Sequence, residues 1–512
     1  MTITITGDFS HHVKPHYLQT LCLLFFPGLN FSLKSDNGDS LIIDIAPAGE
    51  HGEARISLTL RFNGRTEAEC KNIGFTEGAG KHEPGNLSLA AGRAFYAAAS
   101  RMSGIYPEWG IITGIRPAAL AGAVYKRLKD KEAVINFFRN EYLTVEPKAR
   151  LAIETYLNGE RAIGTVSRGA NPGDASLYIS IPFCPTRCRY CSFISAAAPK
   201  MFAKLPEYVD RLINELKLIA GIVNRNKLRI AAIYIGGGTP AVLPLPLAER
   251  LLSAAAKLFH TENLLEYTFE AGRPDILTRE MLSVIKKYGV TRLCVNPQTM
   301  KDQTLSLIGR GHTSADFLSA YTLARETGFD HINTDVIAGL PEESADDMLD
   351  TVERLIGLNP ESITVHTMCV KKSAPQKTEA GKNPEFQAVS SELFLPFAPE
   401  AGAALGGMYK KLAENDYLPY YMYKQKYTVG NYENVGFSKA GSECLYNILM
   451  MDERQSIFGA GAGAVTKLVK TTGGSQKIER IGNPKYPHEY FSGGYIWDKP
   501  ENIKLINEFF GG

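Results

Sequence analysis

Little in this 512-residue sequence is present in excess. Its 56 Lys plus Arg nearly cancel its 54 Asp plus Glu, and a net charge of +2 supplies no global pull toward nucleic acid or an anionic membrane. Such a partner would need a local patch. The opening MTITITGDFSHH has no basic stretch followed by an apolar core, and the longest early apolar run, LCLLFFPGL, is too short to span a bilayer. A soluble, cytosolic chain without a membrane partner is expected. Disulfide scaffolding is also excluded. Of the eight cysteines, Cys184, Cys188 and Cys191 fall within eight residues, while Cys22, Cys70, Cys294, Cys369 and Cys444 are scattered. Clustered thiols in a reducing compartment point to metal. Long low-complexity segments are missing, and no repeat recurs beyond a strand-helix unit.

The length is too great for one ordinary core and suits two to four domains, or one barrel with appendages. Residues 1–166 mix strand-like runs (SLIIDIAP, ARISLTLRF) with helical ones (PAALAGAVYKRLKDK, KARLAIETYLNG) and read as an α+β domain without a chemical cluster. SRGANPGDAS, 167–176, is rich in Gly and small polar residues and reads as a linker. From 177 to 375, β-rich runs (LYISIPF, AAIYIGG, EYTFEAG, RLCVNPQ, HINTDVIAG, SITVHTM) alternate with amphipathic helices. That alternation builds a parallel sheet, and six units predict a partial (β/α)6 barrel with its active residues at strand ends. Residues 376–512 read as a helical and β-hairpin region that caps the barrel.

The chemistry concentrates in LYISIPFCPTRCRYCSF, where thiols spaced three and two residues apart follow an apolar strand on a Pro-containing loop. Three thiolates hold three irons of a 4Fe-4S cube, whereas structural zinc and ordinary electron-transfer clusters take four ligands. An open iron can chelate the amino and carboxylate groups of S-adenosylmethionine (SAM), and an electron from the cluster then yields a 5'-deoxyadenosyl radical. The alternative is a zinc knuckle completed by a remote His or Cys, which the strand position and the companion motifs disfavour.

The second strand ends in GGGTP, Gly236 to Pro240, where glycines permit close backbone approach and carbonyls can accept from an ammonium group; a plain turn is the alternative. Other strand ends carry polar residues in apolar runs: Glu270 in FEAGRP, Gln298 in NPQTM and Asp335 in INTDVIAGLP, followed by Arg310 and His312 in LIGRGHT. Burying such groups costs free energy unless partners are supplied, so each is a candidate for binding ribose hydroxyls, a carboxylate or substrate, or else is a satisfied structural group. Cys294 and Cys369 are expected to be structural. Tyr420, Tyr421, Tyr423 and Tyr427 alternate with Lys424 and Lys426 and suit either a flat macrocycle with acidic side groups or a half-exposed amphipathic strand.

In this order the motifs LYISIPFC, GGGTP, VNPQTM, GRGHT, INTDVIAGLP and GFSKAGSECLYN...GAGAGA resemble the oxygen-independent coproporphyrinogen III oxidase group of radical SAM proteins, most closely its HemZ-type dehydrogenase branch. EWGIITGIRP is similar to that branch's N-terminal region. The resemblance implies one 4Fe-4S cluster on Cys184, Cys188 and Cys191. It implies SAM, in two molecules, with Tyr178, Gly237, Gly238, Thr239, Glu270, Gln298, Arg310 and Asp335 at SAM-contacting positions. It further implies a tetrapyrrole substrate whose two propionates become vinyl groups, and an external electron donor such as a flavodoxin or ferredoxin.

Two positions depart from the pattern. Phe193 stands where the well-studied oxidases have a further cysteine two residues after the cluster loop, and Tyr446-Asn447-Ile448-Leu449-Met450 stands where the related heme-chaperone branch has its HNxxY motif. A heme-binding chaperone and a radical enzyme acting on another substrate, such as RNA, therefore remain as alternatives. Radical chemistry must exclude water, and the Tyr420 to Tyr427 stretch with the loop Ser438 to Asn447 is expected to form a lid over the barrel.

Overall fold

The computed structural model of the chain describes all residues except 1, 10–12, 27–28, 33–37, 49–52, 75–85, 115, 167–172, 192–195, 198–200, 261, 263, 370–398, 426–427, 473–474 and 511–512. Phe193, Lys426 and Tyr427 therefore lie outside the described residues. Among those described, no helix is long and apolar enough to cross a membrane. Contacts divide the chain into two units, the first comprising 1–157, 387–403 and 422–434 and the second 158–386, 404–421 and 435–512.

In the first unit a five-stranded sheet has the order β2-β1-β3-β4-β5, built from β1 (Thr2–Thr6), β2 (Asn30–Ser32), β3 (Ser40–Ala48), β4 (Glu53–Phe62) and β5 (Arg65–Gly74). Helices α1 (Pro15–Phe25) and α2 (Asn86–Ser103) accompany it, followed by α3 (Pro117–Leu128), α4 (Lys131–Glu141) and α5 (Glu146–Val166). A buried charge cluster organises the EWGIITG stretch. The fully buried Glu433 carboxylate accepts from Trp109 Nε1 at 2.6 Å and from Lys148 Nζ at 2.6 Å. Lys424 Nζ donates to the Ile112 carbonyl at 3.1 Å, and burial depresses its ammonium to about 7. A buried charge persists only when paired and hydrogen-bonded, so this motif serves the fold.

The second unit holds the predicted barrel. β6 (Asp174–Ile181), β9 (Arg229–Gly237), β10 (Glu266–Gly272), β11 (Arg292–Val295), β12 (His331–Ala338) and β13 (Ser362–Thr367) pair in parallel, each with its sequence neighbour. The two-residue strands β7 (Phe183–Cys184) and β8 (Ala196–Ala197) pair separately. Between the barrel strands run α6 (Leu205–Arg225), α7 (Leu245–Phe259), α8 (Arg279–Lys287), α9 (Asp302–Leu307), α10 (Ser314–Glu326) and α11 (Ala345–Leu358). The strands are buried nearly throughout, as parallel strands covered on both faces must be. Helix starts follow local chemistry: Thr313 with Asp316, and Ser344 with Asp347, form reciprocal capping boxes.

Three expectations are corrected. β6 opens at Asp174, inside the stretch read as a linker, because Arg229 pairs with the Asp174 carboxylate and extends the register. β11 ends at Val295, so the NPQ of RLCVNPQ leaves the strand. The C-terminal region does more than cap. After α12 (Pro399–Glu414) come β14 (Leu418–Lys424) and β15 (Glu433–Ser438), which widen the sheet beyond β13, with β15 antiparallel to it. After α13 (Leu445–Met451), β16 (Ser456–Ala460) adds a parallel strand beside β6, and the hairpin β17 (Val465–Thr472) and β18 (Ser475–Gly482) follows. Helices α14 (Pro487–Ser492) and α15 (Pro500–Phe510) end the chain.

Candidate active site at the strand ends

Cys184 ends β7, Cys188 is buried, and the Cys191 amide closes a turn on the Cys188 carbonyl at 3.2 Å. Donors face the thiols: Thr239 Oγ1 lies 3.5 Å from Cys184 Sγ and Arg310 Nη1 lies 3.7 Å from Cys188 Sγ. The loop is fastened from outside by the Arg189 amide on the Ile308 carbonyl at 2.9 Å and by the buried Arg273, whose Nη1 donates to Thr186 Oγ1 at 3.0 Å. Among the described residues no three His, Cys, Asp or Glu side chains converge on a single-ion position. Thiolates that each serve a different iron of a cube need not converge on one point. The donor set fits such a cluster, since hydrogen-bond donors and a guanidinium stabilise thiolate charge.

The glycine turn is built against this loop. The Gly238 amide donates to the Ile181 carbonyl at 2.8 Å, and the Thr239 amide donates to that of Phe183 at 2.7 Å. A side chain at Gly238 would place its Cβ 2.5 Å from the Phe183 carbonyl oxygen, and Gly237 has φ +111°. The glycines therefore let two strand ends meet immediately before the first cysteine. Gly238→Ala is expected to displace Phe183 and Cys184, costing about 1–3 kcal/mol by overpacking. Thermal unfolding and iron content per chain are the measurements; native values for both would refute the constraint.

Further into the barrel lies a polar cluster. Glu270 Oε1 accepts from Tyr234 OH at 2.6 Å. Burial pushes the Glu270 carboxyl up to about 7, against the lowering influence of Tyr234, and Asp335 adds to the rise. Asp335 Oδ1 accepts from Asn333 Nδ2 at 2.7 Å, and Asp335 Oδ2 lies 3.7 Å from His366 Nε2. Burial works to raise the Asp335 carboxyl, but His366, Asn333 and Thr364 outweigh it and hold it below the ordinary carboxylate range. The interior is reachable from solvent, since the Asp335 and His366 side chains keep 21% and 26% exposure.

Gln298 has φ +72°, a conformation costly for a side-chain-bearing residue. Its amide and carbonyl bond to Asp335 and Ile337 at 3.0 and 2.9 Å, which fixes the turn beside Asp335. Arg310 donates to the Asn296 carbonyl at 2.8 Å, and its Nε is buried without a hydrogen-bond partner beside the cluster loop. His312 contacts the Pro297 carbonyl at 3.3 Å, and burial with the Arg310 charge lowers its imidazole to about 4, so it sits neutral within the framework. Tyr178 stacks with Tyr234 and Tyr446, at ring separations of 6.2 and 6.3 Å. Cys294 is buried.

The expected lid lies elsewhere. Loop 438–446 is fastened to the first residues of the barrel strands: Glu266 accepts from the Leu445 and Tyr446 amides at 2.7 and 3.1 Å, and the Lys439 amide donates to the Glu361 carbonyl at 3.0 Å. The Arg292 guanidinium also bonds the Ser442 carbonyl. This segment plugs the amino-terminal mouth, opposite the cysteine loop, and Tyr446 forms part of the barrel's floor. Nor is the tyrosine stretch half-exposed. Tyr420, Tyr421 and Lys424 are buried and Tyr423 is partly buried, although β14 is the edge strand of the widened sheet.

Reading polar residues at strand ends finds Glu270, Gln298 and Asp335 but misses Tyr234, His366 and Arg273. Tyr234 and His366 carry the same signal, polar groups inside apolar runs, in AAIYIGG and SITVHTM. Arg273 has no signal before the loop it fastens is placed.

Residues 178–355 match the radical SAM superfamily, whose members use a 4Fe-4S cluster and SAM. The oxygen-independent coproporphyrinogen-III oxidase-like protein HemZ of Bacillus subtilis is 34% identical, over 80% of this chain and 79% of that protein. The heme chaperone HemW of Haemophilus influenzae is 28% identical, over 65% of this chain and 81% of its own length. Among solved structures, the Escherichia coli coproporphyrinogen III oxidase HemN, described as a radical SAM enzyme, superimposes with a TM-score of 0.47 at 21% identity, covering 65% of this chain and 72% of that one. With the cysteine loop at the head of a six-strand parallel barrel and a relative matched along four fifths of its sequence, the chain belongs to the radical SAM superfamily and, within it, to the HemZ-like oxygen-independent coproporphyrinogen III oxidase family.

Proposed function

We propose that this radical SAM oxidoreductase converts coproporphyrinogen III to protoporphyrinogen IX, a step of heme biosynthesis, by oxidative decarboxylation of two propionates. Cys184, Cys188 and Cys191 hold one 4Fe-4S cluster as thiolates. When bound, the cluster and SAM supply an oxidant able to attack an unactivated C–H bond. The chain's own groups orient and shield that chemistry. Thr239 and Arg310 face the thiols, Glu270 and Asp335 would accept hydrogen bonds from the amino and ribose groups of SAM, and Tyr178, Gly237, Gly238 and Gln298 would line the same site. Each propionate would give up a hydrogen atom to the SAM-derived oxidant, an electron to an external one-electron acceptor, and carbon dioxide, while an external one-electron donor such as a flavodoxin or ferredoxin supplies the electron that cleaves SAM.

The observation that favours decarboxylation over heme handling is Tyr446. It occupies the first position of the chaperone branch's HNxxY motif, where its side chain is buried and stacked 4.7 Å from Tyr234, with its amide on Glu266. No imidazole is available at that position to ligate heme iron. Similarity to HemW proteins keeps the chaperone as the second reading. Anaerobic protein with SAM and a strong reductant is expected to release about two carbon dioxides per coproporphyrinogen and yield the divinyl product. Tight heme binding with neither product nor substrate-dependent SAM cleavage would replace this reading with the chaperone.

A further inference from the structure

We propose that His366, which belongs to none of the family motifs above, is a positioning residue for Asp335: it keeps that carboxylate charged and aimed into the barrel, so that Asp335 remains competent to bind SAM in acid. The inference rests on the reading that Asp335 holds SAM.

The geometry comes from strand register. Asp335 of β12 pairs with Thr364 of β13, and His366 lies two residues further along the same face. Its Nε2 lies 3.7 Å from Asp335 Oδ2, while Asn333 Nδ2 holds Oδ1 at 2.7 Å. Asn333 is itself fixed by Thr364 Oγ1, which donates to its Oδ1 at 3.1 Å. The Asp335 amide donates to Asn296 Oδ1 at 3.2 Å, which anchors the backbone. His366 is 26% exposed although Val365 and Thr367 beside it are 0% and 4% exposed, so its ring borders the open interior.

The titratable groups facing Asp335 from the neighbouring strands are Glu270 of β10 and Cys294 of β11, with Tyr234 of β9 reaching the cluster through Glu270. Burial keeps the Cys294 thiol and the Tyr234 phenol protonated. Two close carboxylates share one cost of ionisation, and a cation beside one of them separates their titrations. His366 assigns the early ionisation to Asp335, while burial leaves Glu270 to titrate near neutrality. Without the imidazole, burial would raise the Asp335 carboxyl toward the range in which Glu270 takes up its proton.

SAM affinity measured against pH on the anaerobic, cluster-loaded protein tests this. If SAM needs both carboxylates ionised, log Kd should rise with a slope of about one per pH unit below 7 in the native protein, and of about two in His366→Phe. At pH 6 the variant should bind about tenfold more weakly than native protein, with near-native affinity at pH 8.5. His366→Gln, which keeps an N–H donor and is less disruptive, should give an intermediate slope. A loss that is equal at every pH in either variant would mean that His366 only packs, and would overturn the inference. Asp335→Asn separates the two levels: if SAM affinity is unchanged in that variant, the assignment of Asp335 to SAM falls and the inference falls with it. If Asp335→Asn weakens binding while His366→Phe keeps a slope of one, the inference alone fails.

Discussion

Cys188→Ala is expected to abolish SAM cleavage, lowering 5'-deoxyadenosine formation to less than about a thousandth of native and iron content to a fraction of it. On the proposed assignment each of three thiolates serves a different iron, so no neighbour can take over the lost ligand. The environment makes this position especially intolerant. Cys188 is buried, and Arg310 Nη1 lies 3.7 Å from its sulfur, on a guanidinium whose Nε already lacks a partner. Removing the thiolate takes an anionic partner from this buried guanidinium, a costly change in the free protein as well. Cys184→Ala and Cys191→Ala should behave alike. Cys70→Ser, at an exposed thiol in the first unit, should retain cluster and activity and serves as the control. Full iron content together with 5'-deoxyadenosine from Cys188→Ala would refute the ligand assignment.

Glu270→Gln is expected to weaken SAM binding about tenfold or more at pH 8, because a charge-assisted bond to the ammonium contributes about 1.5–3 kcal/mol. The same substitution should remove most of the pH dependence. With its carboxyl raised to about 7 by burial, Glu270 is largely neutral at pH 6, so native affinity should fall as pH drops through 7 while that of the variant stays nearly level. The sign for the ligand-free fold is opposite. The folded value lies above the ordinary 4.5, so Glu270 costs stability progressively as pH rises from 4.5 toward 7, and Glu270→Gln should unfold at a higher temperature than native protein at pH 8. Titration calorimetry and thermal unfolding across pH 5.5–8.5 check both halves. Unchanged affinity in the variant, or a native affinity that is flat across this range, would assign the carboxylate to the fold.

The sequence alone determined the cofactor chemistry and the frame that carries it. Three thiols at Cx3CxxC spacing form a local pattern, legible without a fold. The alternation of β-rich runs and amphipathic helices predicts the parallel units because side-chain period and helix amphipathicity are properties of short segments. Glu270 and Asp335 were legible as candidates because a carboxylate in an apolar strand demands a reason. Tertiary structure decided what depends on contacts between distant residues. Loop 438–446 is expected as a lid because radical chemistry must exclude water, yet its hydrogen bonds to Glu266 and Arg292, more than 140 residues earlier, place it at the opposite mouth. Likewise β14 and β16 join the sheet through pairing that no local pattern specifies. Whether His366 is a surface histidine or the partner of Asp335 depends on the register of β12 against β13. Local chemistry is written in adjacent residues, whereas register, burial and the face of a barrel that a loop closes arise only when separated segments are brought together.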